Sequence, residues 1–285
     1  MLGVVGDLLE DVVVRLHEEV NVASDTEATV VRRRGGSAAN VVEAAVRVGG
    51  RARFIGQVGD DGVGEWLTQQ LTALGAEVVG RRAGRTGTII VLLDVHGERT
   101  MLADRAAATQ LTDPDPGWLE GLDTLHIPFY SLAVEPLATT SRTLAGWAHE
   151  RGIRVSVDAS SAAVLTHFGV DRAARQIWEL RPDVVLANEL EAEVLGERLL
   201  PPTGGGALVV VQHGASPALV HRADVGTVEV PAITVADVSD TTGAGDAFAA
   251  GLLLALAEGD DPMAAVRRGH SVAAAAVRAA SAPSR

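Results

Sequence analysis

The sequence predicts an α/β fold, in which a parallel β-sheet is covered by helices on both faces and a smaller β-sheet lies beside it. From about residue 123 onward, short apolar stretches alternate with stretches of helical periodicity, which is typical of strands joined by crossover helices. Two other segments, 12–34 and 86–101, are rich in β-branched residues and do not follow this alternation. We expect these two segments to be insertions that form the smaller sheet.

The composition restricts the location and the partners of the chain. Its 285 residues suffice for one large domain with a small appendage, and they include no cysteine and therefore no disulfide. No apolar run is long enough to span a membrane, and acidic residues near the N-terminus are unlike a signal peptide. The formal net charge of −13 argues against nucleic acid as the main partner. We expect a cytoplasmic protein with neither a membrane nor a nucleic-acid partner.

The absence of lysine restricts the chemistry further. All 24 basic residues are arginine. Walker-type phosphate loops, protein-kinase folds and pyridoxal enzymes each depend on a lysine, so these classes do not fit the chain. A phosphate-handling site in this protein must work without that residue type.

In the N-terminal part, the elements follow from apolar runs and from helix start and stop signals. Strands are predicted at 2–6 and 51–59, helices at 37–50 (opened by Ser37) and 64–75, and a hairpin at 86–102.

The remainder of the chain contains most of the alternating pattern. Strands are predicted at 123–127, 154–158, 183–188, 207–211 and 227–230, and helices near 134–151, 171–180, 189–195, 243–257 and 262–279. The main domain is expected to comprise residues 1–11, 35–85 and 102–285.

Residues 240–248 read DTTGAGDAF and lead into the predicted helix 243–257. A glycine-rich turn before a helix offers free N–H groups and the positive end of the helix dipole to an anion. A carboxylate at Asp246 would repel a bound phosphate, but it can accept the proton of a hydroxyl that attacks phosphorus. The stretch therefore predicts an anion hole beside a general base, with simple helix capping by Asp246 as the alternative.

Three further motifs accompany this string. They are GGSAAN at 35–40, GQVGDDGVG at 56–64 and NELE at 188–191. In order and approximate spacing, the four motifs resemble the N-terminal signature, the Asn-x-x-Glu magnesium motif and the C-terminal signature of the ribokinase-like (PfkB) carbohydrate kinases. The resemblance implies a three-layer α/β/α ribokinase-like domain with a small β-sheet lid over the sugar site, formed by 12–34 and 86–101.

The resemblance also implies roles on the acceptor side of the site. Asp246 matches the catalytic base, and the anion hole is matched by Thr242, Gly243, Ala244 and Gly245. The sugar-binding positions are matched by Asp11, Gly35, Gly36 and Asn40. Arg105 stands where many members have Gly-Ala-Asn, and it either faces the substrate or pairs with a neighbouring acid.

For the cofactor, the resemblance implies Mg–ATP. Asn188 and Glu191 match residues that organise its phosphates, with Glu191 acting on Mg²⁺ mainly through water. Near the nucleotide, Gln212 and His213 replace the first two residues of the family's usual Thr-Leu-Gly and Gly214 is kept, which alters the expected ATP loop.

Two further residues are assigned through the same resemblance. His270 either lies at the edge of the adenine or is an ordinary, partly buried histidine. Asp240 matches one ligand of a monovalent cation such as K⁺, and the tail at 276–285 retains part of the remaining pattern.

These observations predict an Mg–ATP-dependent kinase that phosphorylates a primary hydroxyl of a small sugar or sugar derivative. A nucleoside (adenosine-like) kinase would need an aromatic shelf for the base, and a non-catalytic sugar or nucleotide sensor is favoured by the altered 212–217 loop. A phosphosugar acceptor would need cations such as Arg32–Arg34, Arg99 and Arg105. The edge strands of the lid predict a homodimer.

Overall fold

The computed structural model describes residues 1–202, 206–238 and 240–281. Its strands are β1 (Leu2–Val5), β2 (Leu9–Leu16), β3 (Ala28–Gly35), β4 (Ala52–Val58), β5 (Glu77–Arg82), β6 (Thr88–Leu93), β7 (Arg99–Asp104), β8 (Thr124–Pro128), β9 (Arg154–Asp158), β10 (Val184–Asn188), β11 (Leu208–His213), β12 (Ser216–Arg222) and β13 (Gly226–Val230). Its α-helices are α1 (Ser37–Arg47), α2 (Gly62–Ala73), α3 (Leu137–Glu150), α4 (Ala162–Phe168), α5 (Val170–Glu179), α6 (Glu189–Leu195), α7 (Ala244–Glu258) and α8 (Pro262–Ala280).

A nine-stranded sheet forms the centre of the molecule, in the order β13-β12-β11-β10-β9-β8-β1-β4-β5. The pairs from β5 to β11 are parallel, as the alternating sequence pattern predicts. The prediction is wrong at one edge, where β11, β12 and β13 pair antiparallel. The reason is a two-residue turn at 214–215, since a connection this short can join only antiparallel strands.

Helices cover the large sheet on both faces. Side chains from α1, α2, α7 and α8 share one buried apolar cluster with residues of the sheet, such as Val4 and Phe54. Side chains from α3, α4, α5 and α6 share the other cluster, with Val5 and Ile55. Because alternate residues of a strand point to opposite faces, this arrangement is a three-layer α/β/α sandwich, and the predicted fold class is confirmed.

The smaller sheet has four strands in the order β3-β2-β6-β7. Only β2 and β6 run parallel, and the other two pairs are antiparallel. A small apolar cluster lies under this sheet, made of Leu9, Ile89, Val91 and Ala108. The edge strand β7 is exposed along its whole length, so one side of the sheet borders solvent.

The start of α1 differs from the prediction. The helix lies within the predicted range 37–50, but Ser37 does not cap it. Gly36 is the N-cap residue, and the Ser37 hydroxyl donates instead to the carboxylate of Asp246 at 2.8 Å. The first turn of α1 is therefore part of the site described below.

None of the helices within the described residues is long and apolar enough to cross a bilayer.

Candidate active site

A small cavity lies where the carboxyl ends of β9, β10 and β11 meet the first turn of α7. Its volume is about 140 Å³, and it is lined by Asp158, Ser160, Asn188, Glu191, Gln212, Gly243, Gly245 and Asp246. In open α/β sheets, ligands bind outside the carboxyl ends of the strands. The structure thus brings five residues predicted for nucleotide binding together with the predicted base Asp246: Asn188, Glu191, Gln212, Gly243 and Gly245.

Asp246 is held by two side chains of α1. Ser37 Oγ donates to its Oδ1 at 2.8 Å, and Asn40 Nδ2 donates to its Oδ2 at 3.0 Å. The donors are 209 and 206 residues away in the chain, so these contacts exist only because α1 and α7 pack side by side. The carboxylate is fixed in one orientation at the cavity wall.

The environment of Asp246 makes its carboxyl an effective proton acceptor near neutrality. The pKa of Asp246 is raised from 3.8 to about 7, chiefly by burial and also by the negative charges of Asp158 and Asp7, while the hydrogen bonds from Ser37 and Asn40 act in the opposite direction. A general base works best when its pKa lies close to the working pH. The carboxyl of Asp246 meets that condition, whereas an ordinary aspartate does not.

The turn before Asp246 presents unpaired backbone N–H groups. Gly243 is the N-cap of α7 in the left-handed conformation (φ 76°), and no side chain caps the helix. The Ala244 N–H donates to the Thr241 carbonyl at 3.1 Å, but among the described residues the N–H groups of Gly243 and Gly245 have no acceptor. Such groups at a helix N-terminus favour an anion.

A larger cavity of about 450 Å³ opens on the other side of this turn. It shares Gly243 with the smaller cavity, and its other polar lining residues are Asp11, Arg33, Arg34, Asn40, Glu43, Arg47, Asp240 and Thr242. Asn40 connects the two spaces, because it lines the larger cavity and donates to Asp246 in the smaller one. A volume of this size is sufficient for a small ligand.

Two predicted sugar-binding glycines are required by close contacts. A Cβ atom on Gly35 would lie 2.2 Å from Oδ1 of Asp11, so a side chain there would displace the Asp11 carboxylate. Gly36 has φ 101°, and a Cβ would lie 2.4 Å from the Asp7 carbonyl oxygen. Burial raises the pKa of Asp11, partly offset by the charge of Arg33.

Arg105 pairs with a buried acid, one of the two outcomes considered for it. Its Nη1 donates to Asp7 Oδ2 at 2.5 Å, and its guanidinium lies 4.4 Å from the centre of the Tyr130 ring. Asp7 in turn accepts from the Ala38 N–H at 3.3 Å. The Nε and Nη2 of Arg105 have no protein partner in the described part of the chain.

Asn188 and Glu191 form a reciprocal pair at the start of α6. Asn188 Oδ1 accepts from the Glu191 N–H at 3.0 Å, and Glu191 Oε2 accepts from the Asn188 N–H at 2.8 Å. Burial raises the pKa of Glu191 and, together with the Glu191 charge, that of Asp158. These carboxyls form an acidic wall of the cavity that Asp246 also lines, although the described residues contain no group of three ligands placed to hold a metal ion directly.

The other predicted nucleotide residues do not all reach this cavity. Gln212 lines it, whereas Gly214 lies in the β11–β12 turn with φ 57°, next to His213. His270 is buried on α8 with its ring edge-on to Phe248, 5.1 Å between centres, and its Nε2 has no partner in the described residues. It lines neither of the two cavities.

Asp240 connects the turn before α7 to the smaller sheet. Its Oδ1 accepts from the Thr242 N–H at 2.8 Å and from the Thr242 hydroxyl at 2.5 Å. Arg99 of β7 donates to the same hydroxyl at 3.1 Å, and its Nη2 lies 3.6 Å from Asp240 Oδ1. The rest of the predicted cation-site pattern includes residues 282–285, which lie outside the described residues.

Sequence reasoning did not assign Ser37, Asp7 or Asp158 to the site. Asp7 and Asp158 each stand at or just after the carboxyl end of a parallel strand, which is a usable sequence signal. Ser37 gives no comparable signal, because its position fits an ordinary helix start.

Comparison with known protein families matches residues 1–284 to the pfkB family carbohydrate kinases. The chain belongs to this family. Among curated relatives, an ATP-dependent ribose-1-phosphate kinase of Halopiger xanaduensis is 33% identical over 83% of this chain and 79% of the relative. A fructokinase of Klebsiella pneumoniae is 33% identical over 84% of this chain and 81% of the relative.

A solved structure agrees with this pfkB assignment at the level of the fold. A sugar kinase of Pyrococcus horikoshii in complex with ATP superposes with a TM-score of 0.82, at 24% identity and covering 98% of this chain and 92% of that one. The resemblance inferred from the four motifs is confirmed. The protein is a carbohydrate kinase of a family that uses ATP.

Proposed function

We propose that this pfkB kinase transfers the γ-phosphoryl group of Mg–ATP to a primary hydroxyl of a small sugar, with Asp246 as the general base. The observation that carries the proposal is the position of Asp246. Its carboxyl, with a pKa raised to about 7 chiefly by burial, lines the smaller cavity beside the N–H groups of Gly243 and Gly245, which have no acceptor among the described residues. Asn40, which donates to this carboxyl, lines the larger cavity.

In this mechanism the acceptor lies in the larger cavity with its hydroxyl towards Asp246. Asp11 and Asn40 supply acceptors and donors that suit sugar hydroxyls, which are themselves both. As the acceptor oxygen bonds to the γ-phosphorus, its proton passes to the Asp246 carboxylate, and the bond from the γ-phosphorus to the bridging oxygen breaks. ADP leaves with that electron pair, while the Gly243 and Gly245 amides stabilise the transferring group.

The acidic wall fits hydrated magnesium. Glu191 and Asp158 supply carboxylates and Asn188 an amide, the oxygen donors that Mg²⁺ prefers, and Mg²⁺ usually keeps several waters. We therefore assign these residues to holding Mg²⁺ through water. The ion would neutralise phosphate charge and lower the repulsion between the acids and the nucleotide.

The smaller sheet would act as the lid that excludes water, as proposed for segments 12–34 and 86–101. Its inner strand contributes Asp11 to the larger cavity, and Arg99 of its edge strand reaches the turn before α7. Closure over the site protects ATP from hydrolysis by water.

For the acceptor, the curated relatives suggest two classes: an uncharged ketose, as in the fructokinase, and a pentose phosphate, as in the ribose-1-phosphate kinase. The second candidate is supported by the arginines around the acceptor side, Arg33 and Arg47 in the cavity and Arg105 beside it. A phosphate group is the ligand that a guanidinium recognises best.

A nucleoside acceptor is less well supported by the aromatic residues. Phe54, Phe129 and Phe248 are buried in the core, and the Tyr130 ring already carries the Arg105 guanidinium. Among the described residues, these rings leave no free shelf for a base. The sensor alternative would require a site that binds but does not react, and the pKa of Asp246 argues against it.

We further infer a homodimer through the outer face of the smaller sheet, where Val30, Ile90 and Leu102 expose 57%, 38% and 56% of their surfaces. Light scattering would test it, with Leu102→Glu expected to give monomers. A cytoplasmic location and activation by K⁺ near Asp240 are the remaining proposals. Comparing rates in K⁺ and Na⁺ tests the cation.

The test of the function is ADP release from Mg–ATP with a panel of fructose, ribose, ribose 1-phosphate, a sugar acid and adenosine. Phosphorus NMR of the product would locate the new phosphate. Release with one sugar class, and a phosphate on its primary carbon, supports the proposal and names the acceptor. Release with adenosine alone would replace the sugar by a nucleoside, and ATP binding without any turnover would favour the sensor.

A further inference from the structure

Arg34, at the end of β3, is a buried arginine in a run of three. Its side chain exposes 9% of its surface, compared with 66% for Arg32 and 41% for Arg33. Its Nη1 donates to Asn40 Oδ1 at 3.1 Å, and its Nη2 pairs with the Glu43 carboxylate. Because a buried guanidinium is costly to desolvate, its retention here calls for a reason beyond stability.

The hydrogen bonds continue from Arg34 to the proposed base. Asn40 receives the guanidinium on its carbonyl oxygen and donates its amide group to Asp246 Oδ2 at 3.0 Å. A flipped Asn40 amide would place two donors together at Arg34 and two acceptors together at Asp246. The guanidinium therefore fixes which end of the Asn40 side chain faces the base.

We propose that Arg34 is a positioning residue for phosphoryl transfer, which orients Asp246 through Asn40 and favours its ionised form. The inference rests on the proposed role of Asp246 as base. It goes beyond that role because Arg34 belongs to no motif of the sequence and reaches the reacting groups only through a second side chain.

Charges around Asp246 support this inference. The groups that face Asp246 or interact with its charge are Ser37 and Asn40 of α1, Asp7 after β1, Asp158 of β9, Glu191 of α6, and Arg34 of β3. Three of these are acids that oppose ionisation of Asp246. Among the groups named, Arg34 is the cation connected to Asp246 by hydrogen bonds. Its positive charge partly offsets the negative charges of the three acids and so favours the ionised form of Asp246.

The test compares Arg34→Gln with Arg32→Gln, which removes the same charge from the same strand at an exposed site paired to Glu10 at 3.4 Å. We expect Arg34→Gln to lower kcat/KM for the acceptor by about tenfold to a hundredfold, the range for loss of a hydrogen bond to a charged group. The KM for ATP should not change, and the acid limb of the pH–rate profile should move to higher pH. Arg32→Gln should alter none of these.

A double-mutant cycle with Asn40→Ala separates a relay from a merely structural effect. If Arg34 acts through Asn40, Arg34→Gln should cost less than about twofold in the Asn40→Ala background. Arg34→Lys keeps the charge and should leave the acid limb of the pH–rate profile at its wild-type pH. If Arg34→Gln does not fold, Arg34→Lys takes its place in the double-mutant cycle. Melting temperature and ATP binding verify the fold.

The inference is overturned if Arg34→Gln behaves like Arg32→Gln, or if its cost is the same with and without Asn40. Failure of the proposed function would look different. In that case the wild type itself would release no ADP with any acceptor, or Asp246→Asn would remain active.

Discussion

Replacing Asp246 by asparagine should stabilise the folded protein, and the gain should grow with pH. The raised pKa of Asp246 means that the folded state favours the neutral carboxyl, whereas the unfolded chain ionises near its ordinary pKa. Below pH 4 both states hold the proton, so Asp246 costs nothing. As the pH rises from about 4 to about 7, the unfolded state gains charge first, and the wild type loses stability that the Asp246→Asn variant would retain.

The size of the effect follows from the shift. A rise from 3.8 to about 7 corresponds to about 4 kcal/mol at most, at about 1.4 kcal/mol per pH unit. At pH 5 only about 1–2 kcal/mol of this is present, so the advantage of Asp246→Asn should grow by about 2–3 kcal/mol between pH 5 and pH 8. The variant also loses the hydrogen bond from Asn40, which reduces the gain in stability, but this cost is the same at both pH values.

The assay is thermal or urea unfolding of both proteins at pH 5 and pH 8. For a chain of this size, the differential gain corresponds to a melting temperature higher by about 5 °C or more at pH 8 than at pH 5, relative to wild type. Asp260→Asn, at an exposed aspartate, is the matched control and should show no such pH dependence. If the stability difference between Asp246→Asn and wild type is equal at both pH values, burial does not raise the pKa of this carboxyl and the reasoning is refuted.

Three further predictions concern the neighbouring residues. Glu191→Gln keeps an acceptor for the Asn188 N–H but loses the negative charge. We therefore expect kcat to fall by about 10- to 100-fold and the Mg²⁺ concentration for half-maximal rate to rise. An unchanged Mg²⁺ titration would show that Glu191 does not help to hold the metal. Gly35→Ala displaces the Asp11 carboxylate, so the acceptor KM should rise at least about tenfold while the ATP KM stays constant; equal changes in both would point to misfolding. Arg105→Gln leaves buried Asp7 without its ion pair and should lower the free energy of unfolding by about 3 kcal/mol; if it lowers only the turnover of a phosphorylated acceptor, the residue serves recognition instead.

Much of the fold is predictable because local and global preferences agree. Strand β9 and helix α8 lie close to the predicted ranges, since each has the periodicity of its own structure and clear flanking signals. Strand β12 is missed because Pro217 interrupts its pattern. The proline is tolerated because it is the second residue of the strand, where the pairing with β11 is irregular and the pairing with β13 has not yet begun.

The site is predictable only where a motif is continuous in sequence. Asp246 can be identified as a candidate base because the glycines beside it predict an anion hole, and a carboxylate next to an anion hole indicates a general base. Its partners are not identifiable in this way, since Ser37 lies 209 residues away and contacts Asp246 through the packing of two helices. The raised pKa of Asp246 likewise comes from burial and from acids on other strands, which no local pattern records.

The most direct test of the account is the turnover of Asp246→Asn with the best acceptor of the panel, measured together with its ATP affinity. We expect kcat to fall by about 10²- to 10⁴-fold, the range for loss of a general base, with ATP binding unchanged. A variant that phosphorylates the same acceptor at a rate close to wild type would contradict the role of Asp246 as base. The mechanism proposed for this site would then have to be abandoned.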